Sequence, residues 1–390
     1  MYTSRDLKYH NIKDIQNCRI HGRTDLTGPA IPLFWNGSGV EVRVSGTELW
    51  IDIEVDFNLF EPWVSVELNG AFMSRQMLMP GRQSLCLFRC MTFQDEKTVF
   101  FKRELQAMHE DDDCHILVHG FRSDGEFLPV RERSCKLEFI GDSITSGEGS
   151  YGAREDLDWL SMYMSSSLNY ATMTAKALDA EIRILSQGGF GVFSGWDNDR
   201  RHVMPAFYDK ICGLAFGESN ASIGAAKPYD FNSWKPDAVI VNLGTNDNAA
   251  FSSPPFTDPE TGETWKMRLK DSFGAGAVFF TGSLNYSAYN KEDVGRIKAA
   301  VISFLKDLRK KNPESHLVWT YGMLGGELVI PIAAAVSDYM EETGDLNAGF
   351  LELPDTPENE LGAHSHPGAE AHRHAARILT GYLKSVLGKG

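Results

Sequence analysis

The sequence predicts two regions of different class. An all-β sandwich spans residues 1–130, and an α/β region with a doubly wound parallel sheet spans 135–390. Three observations predict this. Apolar residues alternate with a period of two from about position 35 to position 130. From position 136 short apolar strands alternate with amphipathic helices. The strands of this second region run into small, polar, glycine-rich turns, the rim where open α/β sheets bind ligands.

In the first region Val40, Val42 and Val44 alternate with charged neighbours, and Leu49, Ile51, Ile53 and Val55 alternate with Trp50, Asp52 and Glu54. Val64, Val66 and Leu68 follow, closed by Asn69-Gly70, a strong hairpin signal. Further strands are expected over 85–89, 98–102 and 115–121. Short strands at such spacing, without helical periodicity, indicate an antiparallel sandwich. Asp124-Gly125 ends the pattern, and 129–134 reads as the connection.

The second region opens with K-L-E-F-I-G-D-S-I-T-S-G-E-G over 136–149, a buried strand followed by a turn around Ser143. Strands are expected again at 182–186, 238–243, 317–321 and 350–353, and helices over 169–178, 294–308, 328–340 and 369–387. Two tracts break the rhythm, 196–234 and 248–290. Both are rich in Gly, Pro, Asn and aromatics and follow strand ends, where loops build pockets more often than cores.

The composition narrows the function. Over 390 residues, 42% are hydrophobic, enough for packed cores, and acids outnumber bases 53 to 38 for a net charge of -15. That sign disfavours nucleic acid and anionic membrane and suits a neutral substrate. The amino terminus has no signal-like apolar core and no segment is long and apolar enough to span a bilayer. Six cysteines are scattered without paired C-x-x-C spacing, so reduced thiols in a cytoplasmic protein are expected; a secreted form trimmed of its signal would read the same. A homo-oligomer is compatible with the sequence.

Three further blocks bear on Ser143. S-Q-G-G-F-G-V holds Gly188, Gly189 and Gly191; N-L-G-T-N-D holds Gly244, Asn246 and Asp247; A-H-S-H-P-G holds His364, His366 and Pro367. Each lies just past a strand or just before a helix, so all four blocks can share one rim of the sheet. That meets the needs of acyl transfer: a hydroxyl, an imidazole to take its proton, and donors for an oxyanion. His-x-His also has a zinc-binding spacing, but the other blocks offer mainly Ser, Gly and Asn, so no metal and no cofactor are expected.

The order Gly-Asp-Ser, glycine block, Gly-x-Asn-Asp and late His-Pro resembles the GDSL or SGNH hydrolases from about position 136 to the end. The sandwich in front and the run I-G-D-S-I-T-S-G-E-G look closer still to carbohydrate esterase family 2, in which a jelly-roll-like domain precedes an SGNH domain of flavodoxin-like, three-layer form that deacetylates sugars. The resemblance implies Ser143 as nucleophile and, by its own N–H, as an oxyanion donor. It implies Gly191 as a second donor with Gly189 as the alternative, Asn246 as the third, and His366 as general base, with His364 the alternative. Asp142 and Asp247 are expected to hold turns, and His372 and His374 to be packing or surface residues. One departure stands out. The wider family carries an Asp three residues before the catalytic His, and that position is Ala363. Family 2 esterases are known for a Ser-His dyad in which a backbone carbonyl can orient the ring; a loop carboxylate such as Glu360 is the other candidate.

Trp196 and the adjacent Asp197, just past the glycine block, are the expected substrate contacts. The leading expectation is a serine esterase acting on O-acetylated sugars or oligosaccharides. Its alternatives are a short-chain lipid or thioester acyl hydrolase of the same fold and a carbohydrate-binding protein with an inactive hydrolase half. The sandwich is expected to brace rather than to bind glycan.

Overall fold

The computed structural model describes residues 7–92, 95–270 and 286–388. The chain forms two compact units. The first holds the chain up to Ser134 together with Leu160–Ser167 and Tyr208–Tyr229; the second holds Cys135–Trp159, Leu168–Phe207 and the chain from Asp230 onward.

The strands of the first unit are β1 (Lys8–Asn11), β2 (Arg19–His21), β3 (Ile31–Leu33), β4 (Gly39–Val44), β5 (Leu49–Asp56), β6 (Trp63–Leu68), β7 (Ala71–Met77), β8 (Gly81–Phe88), β9 (Lys97–Arg103), β10 (His115–Ser123) and β11 (Phe127–Leu128). They build two antiparallel sheets. One runs β1-β10-β5-β8 with β3 also on β10, the other β11-β4-β9-β6-β7 with β2 also on β4. Alternation decides which face is buried: Leu49, Ile51, Ile53 and Val55 of β5 meet Val40, Val42, Val99 and Phe101 of the other sheet in one core. The expected hairpin is present, with Asn69 and Gly70 both at positive φ (51° and 82°), the pair of conformations a two-residue turn requires.

Two later segments complete this unit. Glu104 is fully buried, and its carboxylate accepts hydrogen bonds from the hydroxyls of Ser65, Ser165 and Ser167. Arg23 lies under the rings of Tyr208 and Tyr229 at 4.5 and 4.0 Å, and the Trp35 Nε1–H donates to Ile211 O at 2.7 Å. Buried polar groups need such partners, so these segments are bound into the unit by chemistry and not by chain neighbourhood.

The second unit is built on one parallel sheet. Its strands are β12 (Cys135–Gly141), β13 (Ala180–Ser186) and β14 (Ala238–Asn242), then β17 (His316–Gly322) and β18 (Ala348–Leu353), after a small separate ribbon of β15 (Phe256–Thr257) and β16 (Thr264–Trp265). The order is β13-β12-β14-β17-β18, parallel throughout. The near-continuous apolar strands reflect cover on both faces. On one, Tyr170, Ala171 and Ala175 of the helix Tyr170–Ala177 join Ala375, Leu379 and Leu383 of the helix Ala369–Leu387 against Leu137, Phe139, Ile184 and Ile240. On the other, Phe304 of the helix Lys291–Lys311 meets the Trp319 ring edge-on. Chain direction across the sheet reverses between β12 and β14, the switch point at which doubly wound sheets open a crevice. Part of the tract 248–290 lies outside the described residues. Among the described residues no helix is long and apolar enough to cross a membrane.

Candidate active site

Ser143 begins a one-turn helix, Ser143–Ser146, immediately after β12. Asp142 makes the turn: its Oδ1 accepts the Ile144 N–H at 3.0 Å, an N-cap that satisfies a helix-start donor. Gly147, at φ 79°, ends it. Ser143 Oγ lies 2.9 Å from His366 Nε2, and His366 Nδ1 lies 2.7 Å from His364 O. Since a carbonyl only accepts, Nδ1 carries the proton and Nε2 is the basic nitrogen facing the serine. The ring of His364 turns instead to Glu148, with Nδ1 2.6 Å from Oε1.

The carbonyl that orients His366 is presented by an unusual turn. His364 and Ser365 both sit at φ 54°, the left-handed region, at a cost on the order of 1–3 kcal/mol each. The turn packs against Gly149 so closely that a Cβ there would stand 2.6 Å from Ala363 O and 2.7 Å from His366 Cβ. Only glycine, free of a side chain and tolerant of φ 74°, fits that position.

The glycine block differs in one respect from the expectation. The Gly191 N–H donates to His202 O at 3.1 Å, as part of a bridge between Gly191 and Val203, so it is not open to a substrate. Among the described residues no acceptor takes the N–H of Ser143 or of Gly189. Gly189, at φ 82°, is therefore the glycine of this block whose N–H is open, because His202 O already takes the N–H of Gly191. Asn246 links the two donor blocks. Its Nδ2 donates to Phe190 O at 2.9 Å and reaches Asp142 Oδ2 at 3.3 Å. Asp247 supports the block from behind by accepting the N–H groups of Val192, Phe193 and Ser194 at 2.9, 2.8 and 3.0 Å.

Burial pushes the Asp142 carboxyl up to about 7 against the pull of the Ile144 N–H, with the nearby Asp247 charge adding to the rise. Burial also raises Asp247, opposed by its three backbone donors. Glu148 goes the other way. Burial works to raise it, but the neighbouring His366 and His364 and the Trp159 side chain hold it below the usual carboxylate range. The hydrogen bond to Glu148 raises His364 above the ordinary imidazole value.

Trp196 is 53% exposed, and its indole lies over the glycine block: a Cβ on Gly189 would meet its Cδ1 at 3.2 Å. Asp197 uses Oδ1 to accept the Asp199 N–H at 3.0 Å, and its Oδ2 is 3.8 Å from His202 Nδ1. Glu360 does not orient His366; it lies 3.1 Å from His374 Nδ1. His372 is buried against Tyr170, whose N–H it accepts at 3.2 Å, and burial pushes it down to about 3. Sequence reasoning missed Glu148, although it lies inside the run read as the nucleophile block. The only local signal was a charged residue between two glycines. Glu148, His364 and His366 also bring one ligand-type atom each within 4.8 Å of one another. Both His366 nitrogens are engaged, however, by Ser143 and by the His364 carbonyl, so the trio is a hydrogen-bonded group and not an open metal cage.

Comparison with known proteins bears on the family and the fold. The model of the GDSL-like Lipase/Acylhydrolase family matches residues 137–379. The solved structure of an acetyl xylan esterase, Est2A, from the rumen bacterium Butyrivibrio proteoclasticus is 50% identical with a TM-score of 0.93, over 98% of this chain and 99% of that one. The cellulase/esterase CelE of Acetivibrio thermocellus is 24% identical over 94% of this chain, which spans only 39% of that relative's length. An acetylxylan esterase / glucomannan deacetylase of Cellvibrio japonicus is 23% identical, over 95% of this chain and 88% of the relative.

Proposed function

The chain belongs to the GDSL-like lipase/acylhydrolase family, and from that premise we propose that it is a serine esterase removing acetyl groups from O-acetylated sugars or oligosaccharides. The observation that carries this reading is the continuous chain from Ser143 Oγ through both His366 nitrogens to His364 O, at 2.9 and 2.7 Å.

The reaction follows from it. Ser143 Oγ attacks the acetyl carbonyl carbon while its proton passes to His366 Nε2. The carbonyl oxygen becomes an oxyanion and is received by the N–H groups of Ser143 and Gly189 and by Asn246 Nδ2, which exchanges its long contact to Asp142 for the new charge. The ester C–O bond then breaks, and His366 returns the proton to the departing sugar oxygen, leaving acetyl on Ser143. Water, deprotonated by the same imidazole, attacks the acyl-enzyme to release acetate and restore the serine. Trp196 offers a ring face for a sugar, and Asp197 offers Oδ2 to one of its hydroxyls. The relatives named for acetyl xylan support a plant-polysaccharide acetyl ester as the substrate class.

The test compares acetate release from acetylated xylo-oligosaccharides with hydrolysis of long-chain acyl esters by the purified protein. Preference for the acetylated sugar is expected. Preference for the long acyl chain would replace this reading with that of a lipid acyl hydrolase.

A further inference from the structure

We propose that Glu148 is the positioning acid of this site, supplying from the nucleophile turn the negative charge that position 363 lacks. The inference rests on the serine-esterase reading and adds a residue to it.

Four observations lead there. First, an imidazole that must become an imidazolium needs a counter-charge or a strong acceptor behind it, and the position where the family carries an acid is an alanine, fully buried. Second, Glu148 is the carboxylate facing the catalytic ring. Its side chain is 6% exposed, and its Oε1 lies 3.7 Å from His366 Nδ1. That separation is too long for a hydrogen bond but close for a charge in a buried setting. Third, Glu148 remains acidic despite burial, and the first thing that holds it so is the charge on His366. The same carboxylate therefore faces the positive charge that the ring takes up when it accepts the serine proton. Fourth, the same oxygen holds His364 Nδ1 at 2.6 Å, and the rings of His364 and His366 stack at 5.3 Å with 9° between their planes. One carboxylate thus anchors the residue whose carbonyl fixes His366 and faces the charge that His366 acquires.

The division of labour differs from a Ser-His-Asp triad. The Nδ1–H is spent on a carbonyl that carries no charge, while the charge sits beside it, 3.7 Å away. Geometry and electrostatics come from two groups, both on short segments that meet at Gly149. The titratable groups around this centre are His364 and His366 in the loop before the last helix, His372 within that helix, and Asp142 behind the nucleophile turn.

The test uses the full chain with Glu148→Gln, Glu148→Asp, Glu148→Ala, His364→Ala and Ser143→Ala, measuring kcat, KM and the melting midpoint of each. Glu148→Gln keeps the shape and the acceptor for His364 and deletes only the charge. Its kcat should fall about 10–100-fold, the usual cost of losing a group that supports a functional side chain from behind, with KM little changed. Glu148→Asp, charged but shorter, should recover part of the rate. His364→Ala should cost less than Glu148→Gln, since the backbone carbonyl and the Glu148 charge both remain. The proposal is overturned by a Glu148→Gln variant with native kcat, or by one whose loss tracks the melting midpoint and is not relieved in Glu148→Asp. If Glu148→Gln does not fold, a folded Glu148→Ala with native kcat overturns it equally. An active Ser143→Ala would instead remove the esterase reading itself, so the two failures are distinct.

Discussion

Replacing Asn246 by Ala separates what this side chain does for the resting protein from what it does for the reaction. At rest its Nδ2 donates to Phe190 O at 2.9 Å and reaches Asp142 Oδ2 at 3.3 Å, and the residue is 8% exposed. Alanine leaves the Phe190 carbonyl without that donor, which costs stability by about 1–3 kcal/mol. In the transition state the loss is of another kind. A donor aimed at the oxyanion contributes about 2.7–4 kcal/mol, so kcat should fall by about 10²–10³-fold. The charge it meets exists only in the transition state, so KM should barely move. The assay is steady-state hydrolysis of an activated acetyl ester well below the melting midpoint, with a thermal melt of the same sample. A domain with ordinary stability, about 5–15 kcal/mol, stays folded after the expected destabilisation, so the rate loss cannot be assigned to unfolding. A variant that loses stability yet keeps kcat within about threefold would refute the reasoning, and so would a change confined to KM.

Two other predictions concern glycine and pH. Gly189→Ala should lower kcat and cost about 1–2 kcal/mol, because φ 82° is a left-handed conformation that a Cβ disfavours. Gly191→Ala should cost more stability, about 2–3 kcal/mol, because its Cβ would overlap Ser194 O and the Asp247 carboxylate; melting and kinetics of both variants check the order. In the first unit burial would raise Glu41, but hydrogen bonds from His21 and Arg133 hold its carboxyl at about 2 against an ordinary 4.5. A depressed carboxyl contributes stability that is present above the ordinary value and is lost as pH falls through the folded one. About 3 kcal/mol should therefore disappear between roughly pH 4.5 and 2. Acid melts of Glu41→Gln, which cannot titrate there, should lack that part of the slope.

The way the sequence was legible follows from where each signal resides. β5 was plain because Leu49, Ile51, Ile53 and Val55 alternate cleanly between core and solvent. β7 was missed because its residues A-F-M-S-R-Q-M line an edge strand that is largely exposed, so nothing imposes alternation. β1 to β3 are three or four residues long, and β3 contains Pro32, a residue that argues against a strand. The packing of 160–167 and 208–229 into the first unit rests on Glu104, Arg23 and Trp35, partners far away in the chain that leave no local pattern. At the site, Ser143, Asn246 and His366 could be read because each follows a strand or precedes a helix in a recognisable block. Which glycine N–H is open could not, because the answer depends on the carbonyl of His202. Nor could the role of Glu148, whose meaning appears only once a loop more than two hundred residues later folds over it.

The central claim is that Ser143 carries the acyl group. Rapid mixing with an acetylated substrate, acid quenching and mass analysis of the peptide holding Ser143 test it most directly. One acetyl group is expected on Ser143 of the native protein, accumulating when His366 is replaced by a residue that cannot activate water but substrate is an activated ester, with no adduct in Ser143→Ala. Acetate release from acetylated sugar by Ser143→Ala at the native rate, with no acetyl on that peptide, would contradict it.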